Sequence, residues 1–277
     1  NCMKKLVREC RMGSPKTFKT GAVVGSYPKP LLYLGFDRGG IDVIPSKTIQ
    51  LAATDFQPDT RYEEITHIKP GVIGTWVAKP ESEQPRILAV DYTNSSTMDL
   101  SVDMVPAKAM KPLQDFVADY NIVSQYIGKG KPLPWKTVVL DSLTGYEDII
   151  LSYISSFNPS AMVDARQWAG QTGGKVRQTI LTLTTWPCHV VILMHSALDQ
   201  NELTQAIRET PSVFSKGLRN DIAGLFSQFF YATKANGKPV IWVNDKMYVS
   251  GIGGRWPLGL PPELPPDFKS IYGKELL

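Results

Sequence analysis

The sequence predicts an α/β protein built on a mostly parallel central sheet. Two observations carry that prediction. The first is the octapeptide Gly13-Ser14-Pro15-Lys16-Thr17-Phe18-Lys19-Thr20, which has the spacing of a phosphate-binding loop, G-x-x-x-x-G-K-[ST], except for Phe18 in place of the second glycine. It lies between an apolar-basic run, residues 4–12, and a small-residue stretch, residues 21–26, in the order strand, loop, helix. The second is a set of three near-continuous apolar runs that end in Asp37, Asp141 and His195. Continuous apolar strands suit a sheet buried on both faces. Polar residues at their carboxyl ends face the crevice where open α/β sheets bind ligands.

The chain has 277 residues, 43% hydrophobic and 20% charged, enough for one large domain with a real core. No apolar run approaches the roughly 20 residues needed to cross a bilayer, and residues 1–20 contain no apolar leader core. Cys2, Cys10 and Cys188 form no C-x-x-C pair, which points to reduced intracellular thiols rather than disulfides or a zinc site. The formal charge is +4. Residues 1–20 hold Lys4, Lys5, Arg8, Arg11, Lys16 and Lys19 against Glu9, a net of +5, so the other 257 residues sum to −1. The positive charge thus sits on and before the loop, where an anion would bind, and no global nucleic-acid stripe follows.

Along the chain, the loop comes first. Its backbone N–H groups and the following helix dipole favour a phosphate, Lys19 would reach the terminal phosphates, and Thr20 would ligate Mg²⁺. After Pro28-Lys29-Pro30, residues 31–36 read as a buried strand leading to Asp37. Residues 41–106 read as a β-rich excursion. Its short runs at 41–52, 62–68, 72–77 and 86–93 suggest a hairpin or small meander, followed by a loop at 93–101. Residues 108–120 have helical spacing and 128–134 read as a loop. Residues 135–144 form a second strand ending in Asp141-Ser142, where an acid beside the loop holds Mg²⁺ through water. Residues 146–154 read as a helix. Residues 161–185 are amphipathic, with a loop or helix break at 170–175. Residues 188–196 are the third strand, ending at His195. Residues 199–225 are polar and read as a long mobile loop, with a helix over 220–229. Residues 229–233 and 239–243 form a hairpin across Asn236-Gly237. The tail is proline-rich, with little helix.

The Lys-Thr loop followed by strands ending in Asp37, Asp141 and His195 resembles the RecA-like ATPase core. It is most similar to compact phage-encoded RecA-like nucleotide-binding proteins, some of which act in single-strand annealing recombination. The residues carrying the resemblance are 13–20, 27–37, 138–142, 190–195 and the terminal hairpins. The resemblance implies one RecA-like ATPase domain over 1–277, with 45–106 as a β-rich insertion and β-hairpins at the C-terminal end. Residues 13–20 with Asp141 and Ser142 would then bind ATP, and Thr20 and Asp141 would hold Mg²⁺. Asp37 falls where the family places the carboxylate, a Glu, that activates water, and His195 falls where it has a γ-phosphate sensor. The 199–219 loop corresponds to a DNA-contacting loop, with Lys216 and Arg219 as contacts for single-stranded DNA. Lys246 or Arg255 would reach a neighbouring subunit's nucleotide in a homo-oligomer. The setting implied is the cytoplasm of an infected host cell, with no membrane partner. Two other readings remain open: an ATP-controlled protein-interaction switch or loader, which the acidic 199–221 segment suits, and a degenerate P-loop scaffold, to which Phe18 points.

Overall fold

The computed structural model describes residues 6–37, 40, 65–93, 106–157, 165–200, 205, 207–245, 249, 252–254 and 260–273. Among these, eleven strands form one mostly parallel sheet flanked by seven α-helices. Strand β1 (Arg8–Gly13) leads through the loop into α1 (Lys19–Ser26) and then β2 (Leu31–Gly35). Strands β3 (Ile65–Ile68) and β4 (Ile87–Asp91) flank α2 (Ile73–Val77). Helix α3 (Pro106–Gly128), β5 (Thr137–Asp141), α4 (Leu143–Phe157), α5 (Ala165–Leu183) and β6 (His189–Gln200) follow. Then come β7 (Ile207–Pro211), α6 (Lys216–Asp221), β8 (Gln228–Ala235), β9 (Lys238–Trp242), β10 (Gly253–Gly254), β11 (Glu263–Leu264) and α7 (Phe268–Tyr272).

The sheet order is β11-β9-β8-β1-β6-β5-β2-β4-β3. The strands from β8 to β3 run parallel. Alternation across the pleat divides the core in two. Leu32, Leu34, Val138, Leu140, Val190 and Ile192 face a large cluster with α3, α4 and α5. Leu31, Tyr33, Val139, Val191 and Leu193 face a smaller one with α1 and α7. The continuous apolar runs are therefore buried on both faces, as parallel strands require.

Five readings of the sequence are corrected by the structure. Residues 65–93 are no hairpin or meander: β4 pairs parallel with β2, and β3 pairs parallel with β4, so they extend the central sheet. Within that segment, residues 73–77 are helical rather than β-like. Ile73 and Val77, four residues apart, are both buried, a spacing that a short apolar run leaves ambiguous. Asp119 on α3 fixes the segment by accepting from Gly71 N (2.9 Å) and Tyr92 OH (3.0 Å). The run at 41–52 and the loop beyond residue 93 lie outside the described residues.

Helix α5 does not break at 170–175. Gly173 instead lets Ser215 approach, since a Cβ there would lie 2.5 Å from Ser215 Oγ. The 199–225 segment is not a long loop. β6 runs on to Gln200 and pairs antiparallel with β7, from Ser196↔Pro211 to Gln200↔Ile207. The helix expected at 220–229 lies at Lys216–Asp221, capped by Ser215 Oγ, which accepts from Leu218 N. Gln228 already belongs to β8, because residues 228–232 are buried beside β1. The hairpin across Asn236-Gly237 matches the sequence reading, with both residues left-handed (φ 51° and 77°).

The basic charge of residues 1–20 is largely structural. Arg8 donates to the carbonyls of Thr184, Trp186 and Cys188, which fastens the turn between α5 and β6. Arg11 and Glu9 are fully buried, two apart on one face of β1, and form an ion pair. Arg11 also donates to Tyr27 OH (2.7 Å) and Pro266 O (2.6 Å). Tyr27 and Tyr272 both donate to Glu9 Oε2. The network pins α1 and α7 to the strand that carries the loop.

Removing one member of a buried pair leaves the other charge uncompensated. Arg11→Met is therefore expected to lose about 3–5 kcal/mol in urea unfolding. A loss below about 1 kcal/mol would show that the network carries little stability.

Candidate functional site

The site begins where β1 stops. A Cβ on Gly13 would lie 2.2 Å from Ala232 O of neighbouring β8, so only glycine fits. The chain then turns through Ser14–Phe18. Thr17 Oγ1 donates to Ser14 O (2.9 Å). Lys16 and Phe18 are both left-handed, with φ of 62° and 67°. Left-handed residues among right-handed neighbours turn successive N–H groups inward, which makes an anion-binding concavity. The N-cap of α1 is Phe18, which offers no side-chain acceptor. The first N–H groups of α1 therefore have no side-chain cap, and its dipole adds positive potential at the loop.

Lys19 folds back across this concavity. Its Nζ donates to Gly13 O (2.8 Å), Ser14 O (2.9 Å) and Thr17 Oγ1 (3.3 Å). It is only 7% exposed. Burial lowers its pKa to about 8, although Asp141 and Asp37 favour its charged form.

Strand β5 delivers Asp141 beneath the loop. Asp141 Oδ2 accepts from Thr20 Oγ1 (2.5 Å) and Tyr33 OH (2.9 Å). Burial pushes this carboxyl up, while the two hydroxyls and the Lys19 charge pull it down. The sequence reading missed Tyr33. The available signal was its place in β2, on the same pleat face as Leu31 and in a strand paired with β5.

Asp37 lies just beyond β2. Its N–H donates to Asp141 O (3.2 Å), which holds the two acids at one sheet edge. Asp37 Oδ2 is 3.1 Å from His195 Nε2. His195 sits level with Gly13 in the β1–β6 register. Its backbone N–H donates to Thr144 Oγ1 (3.1 Å), which donates to Ser212 O (3.2 Å) after β7. Thr144 is a second residue missed by the sequence reading. Thr137 and Thr182 show that a threonine near a helix or strand end gives no signal by itself.

The loop residues 15–20 with Asp37, Gly40, Asp141 and His195 line a cleft of about 500 Å³. That volume lies in the range of small-molecule sites. Nine of the expected residues thus converge: 15–20 of the loop with Asp37, Asp141 and His195. Ser142 does not face the cleft. It is buried, and its Oγ accepts from Gly145 N (3.1 Å) at the start of α4. Lys216 is exposed on α6. Arg219 is engaged within the chain, donating to Val213 O (3.0 Å) and lying 3.8 Å from Asp199. Lys246 and Arg255 lie outside the described residues.

Among the described residues, no three His, Cys, Asp or Glu side chains gather as a metal site. No described helix is long and apolar enough to cross a membrane. Comparison with known protein families and with curated proteins finds no match to this chain.

The lowered pKa of Lys19 gives a pH test. Between pH 8 and 10.5 the unfolded chain holds a proton that the folded chain has released, so stability rises with pH in that window. Relative to Lys19→Met, ligand-free wild type should gain about 3 kcal/mol from pH 8 to 10.5, measured by urea unfolding. Parallel curves for the two proteins would show that Lys19 is not held as a buried cation.

Proposed function

We propose that the chain binds ATP with Mg²⁺ at the 13–20 loop and hydrolyses it, as a RecA-like P-loop protein acting on single-stranded DNA in phage recombination or replication. The observation that carries this reading is the 2.5 Å contact between Thr20 Oγ1 and Asp141 Oδ2, beneath a loop with left-handed residues at 16 and 18. A concavity of N–H groups, a helix start and a buried lysine suit a polyphosphate. The hydroxyl and carboxylate fit a hard cation that takes one or two protein oxygens and fills its shell with phosphate and water.

The roles follow from position. Lys19 would exchange its two carbonyl acceptors and Thr17 Oγ1 for phosphate oxygens. Thr20 and Asp141 would hold Mg²⁺, which supplies charge neutralisation on the phosphate oxygens. Asp37 would orient the attacking water and accept its proton, with His195 fixing the carboxylate from 3.1 Å. ATP and water give ADP and phosphate. The DNA part rests on the order of the motifs and on exposed Lys216. The engagement of Arg219 within the chain leaves fewer cations for a phosphate backbone, which dominates DNA affinity.

One observation favours a second reading, an ATP-controlled switch that meets another protein. The β6–β7 hairpin presents Leu198 and Ile207, 73% and 56% exposed, with exposed Phe214 at its base. Apolar groups of this kind suit a protein surface better than a phosphate backbone. The hairpin begins on the same strand as His195, and the hydrogen bonds through Thr144 to Ser212 tie its return strand to the site.

Thermal shift with Mg²⁺ and ATP tests the site. Wild type should be stabilised and Lys19→Ala should not. No shift in wild type would leave a degenerate scaffold. Asp37→Asn should keep binding but lose about 10²–10⁴-fold in turnover, the range of general acid–base contributions. Unchanged turnover would remove Asp37 from the chemistry. On the DNA reading, retention on single-stranded DNA in the presence of ATP falls steeply with salt. Flat salt dependence would transfer the case to a protein partner.

A further inference from the structure

Phe18 carries two costs that its surroundings do not offset. Its backbone is left-handed, at φ 67° and ψ 23°, a conformation glycine adopts freely and a bulky residue does not. The residue is 45% exposed, so burial does little to compensate. Strain of this kind gathers at ligand sites, and here it falls on a residue that lines the cleft.

The ring has a defined seat. A Cβ on Gly21 would lie 2.7 Å from Phe18 Cε2 and 2.8 Å from Cζ. The ring therefore lies on the bare flank of α1 one residue past Thr20, and a side chain at position 21 would displace it. The cleft lining thus combines polar groups, Lys19, Thr20, Asp37, Asp141 and His195, with the aromatic ring of Phe18. A bare polyphosphate has no use for the aromatic part. A nucleotide has a part that must leave the anion concavity, and that part is a sugar and a flat base.

The geometry points to the Phe18 ring, seated on Gly21, as the wall against which the nucleoside of a bound nucleoside triphosphate rests, its phosphates lying in the loop. This inference rests on the reading of the loop as a phosphate site and adds which side chain meets the rest of the ligand. A ring face carries no hydrogen-bonding pattern, so Phe18 by itself registers that a nucleoside is present rather than which base it bears.

The test compares ATP with inorganic tripolyphosphate, both with Mg²⁺, by calorimetry on the full chain and on Phe18→Gly and Phe18→Tyr. Phe18→Gly relieves the left-handed backbone and so keeps the fold. The preference for ATP over tripolyphosphate should fall about tenfold in Phe18→Gly, the scale of base–aromatic stacking, and persist in Phe18→Tyr. An unchanged preference in Phe18→Gly overturns the inference. So does wild type that binds tripolyphosphate as tightly as ATP, an outcome that leaves the phosphate site standing. Wild type that binds neither ligand removes the phosphate site and the inference together.

Discussion

A buried carboxylate must be paired or hydrogen-bonded, and the arrangement of this sheet edge follows from how Asp141 meets that requirement. Its partners come from two other elements, Thr20 at the start of α1 and Tyr33 within β2. Its own carbonyl receives the N–H groups of Phe36 and Asp37. The start of α1 and both the body and the end of β2 are thereby fixed around one residue of a strand far away in sequence. The loop end of α1 sits over β5, and the chain leaving β2 is bent so that Asp37 meets His195. Replacing the acid by an apolar residue would leave two hydroxyls without their partner, while the backbone bonds to Phe36 and Asp37 would remain.

The second constraint acts on the opposite side of the loop. Glu9 and Arg11 are charges at strand positions that the smaller core would otherwise fill with apolar side chains. Every polar group in that network has a partner, and the partners are spread over β1, α1, the turn at Pro266 and α7. Such a pair adds little net stability over an apolar isostere and serves better to fix geometry. Here it fixes the direction in which β1 delivers Gly13, and Ser26 Oγ, accepting from Phe268 N, fixes the far end of α1 against the same C-terminal segment. The loop is held at both ends, by Asp141 below and by this network behind.

Much of this was legible in the sequence because parallel buried strands announce themselves as continuous apolar runs. The runs before Asp37, Asp141 and His195 needed only to be laid side by side. What was not legible falls into two physical classes. One is sheet order and direction: nothing local to residues 86–93 distinguishes a hairpin strand from a parallel one, and the difference lies in a pairing with β2 more than fifty residues away. The other is the partnership of polar groups. Arg8 and Arg11 looked like charge available to an anion, yet they satisfy carbonyls of the turn after α5 and a buried glutamate. Ser142 looked like a ligand contact because it adjoins Asp141, but successive strand residues point to opposite faces, and it turned to α4. Polarity along 199–225 suggested a loop, where an antiparallel pair with one solvated face, as in β6–β7, is equally polar.

The energetics of the site point in one direction. Lys19 is a buried cation, Asp141 a buried acid whose proton affinity burial raises, and Phe18 a half-exposed ring on a left-handed backbone. Each is unfavourable in the chain alone, and local disagreements of this kind collect where a protein binds something. They also call for different things. Lys19 calls for negative charge, Asp141 for positive charge, and the ring for a flat apolar face. A single small anion would satisfy the first and worsen the second. A polyphosphate bearing a divalent cation satisfies both, and only when it also carries a nucleoside does it cover the ring.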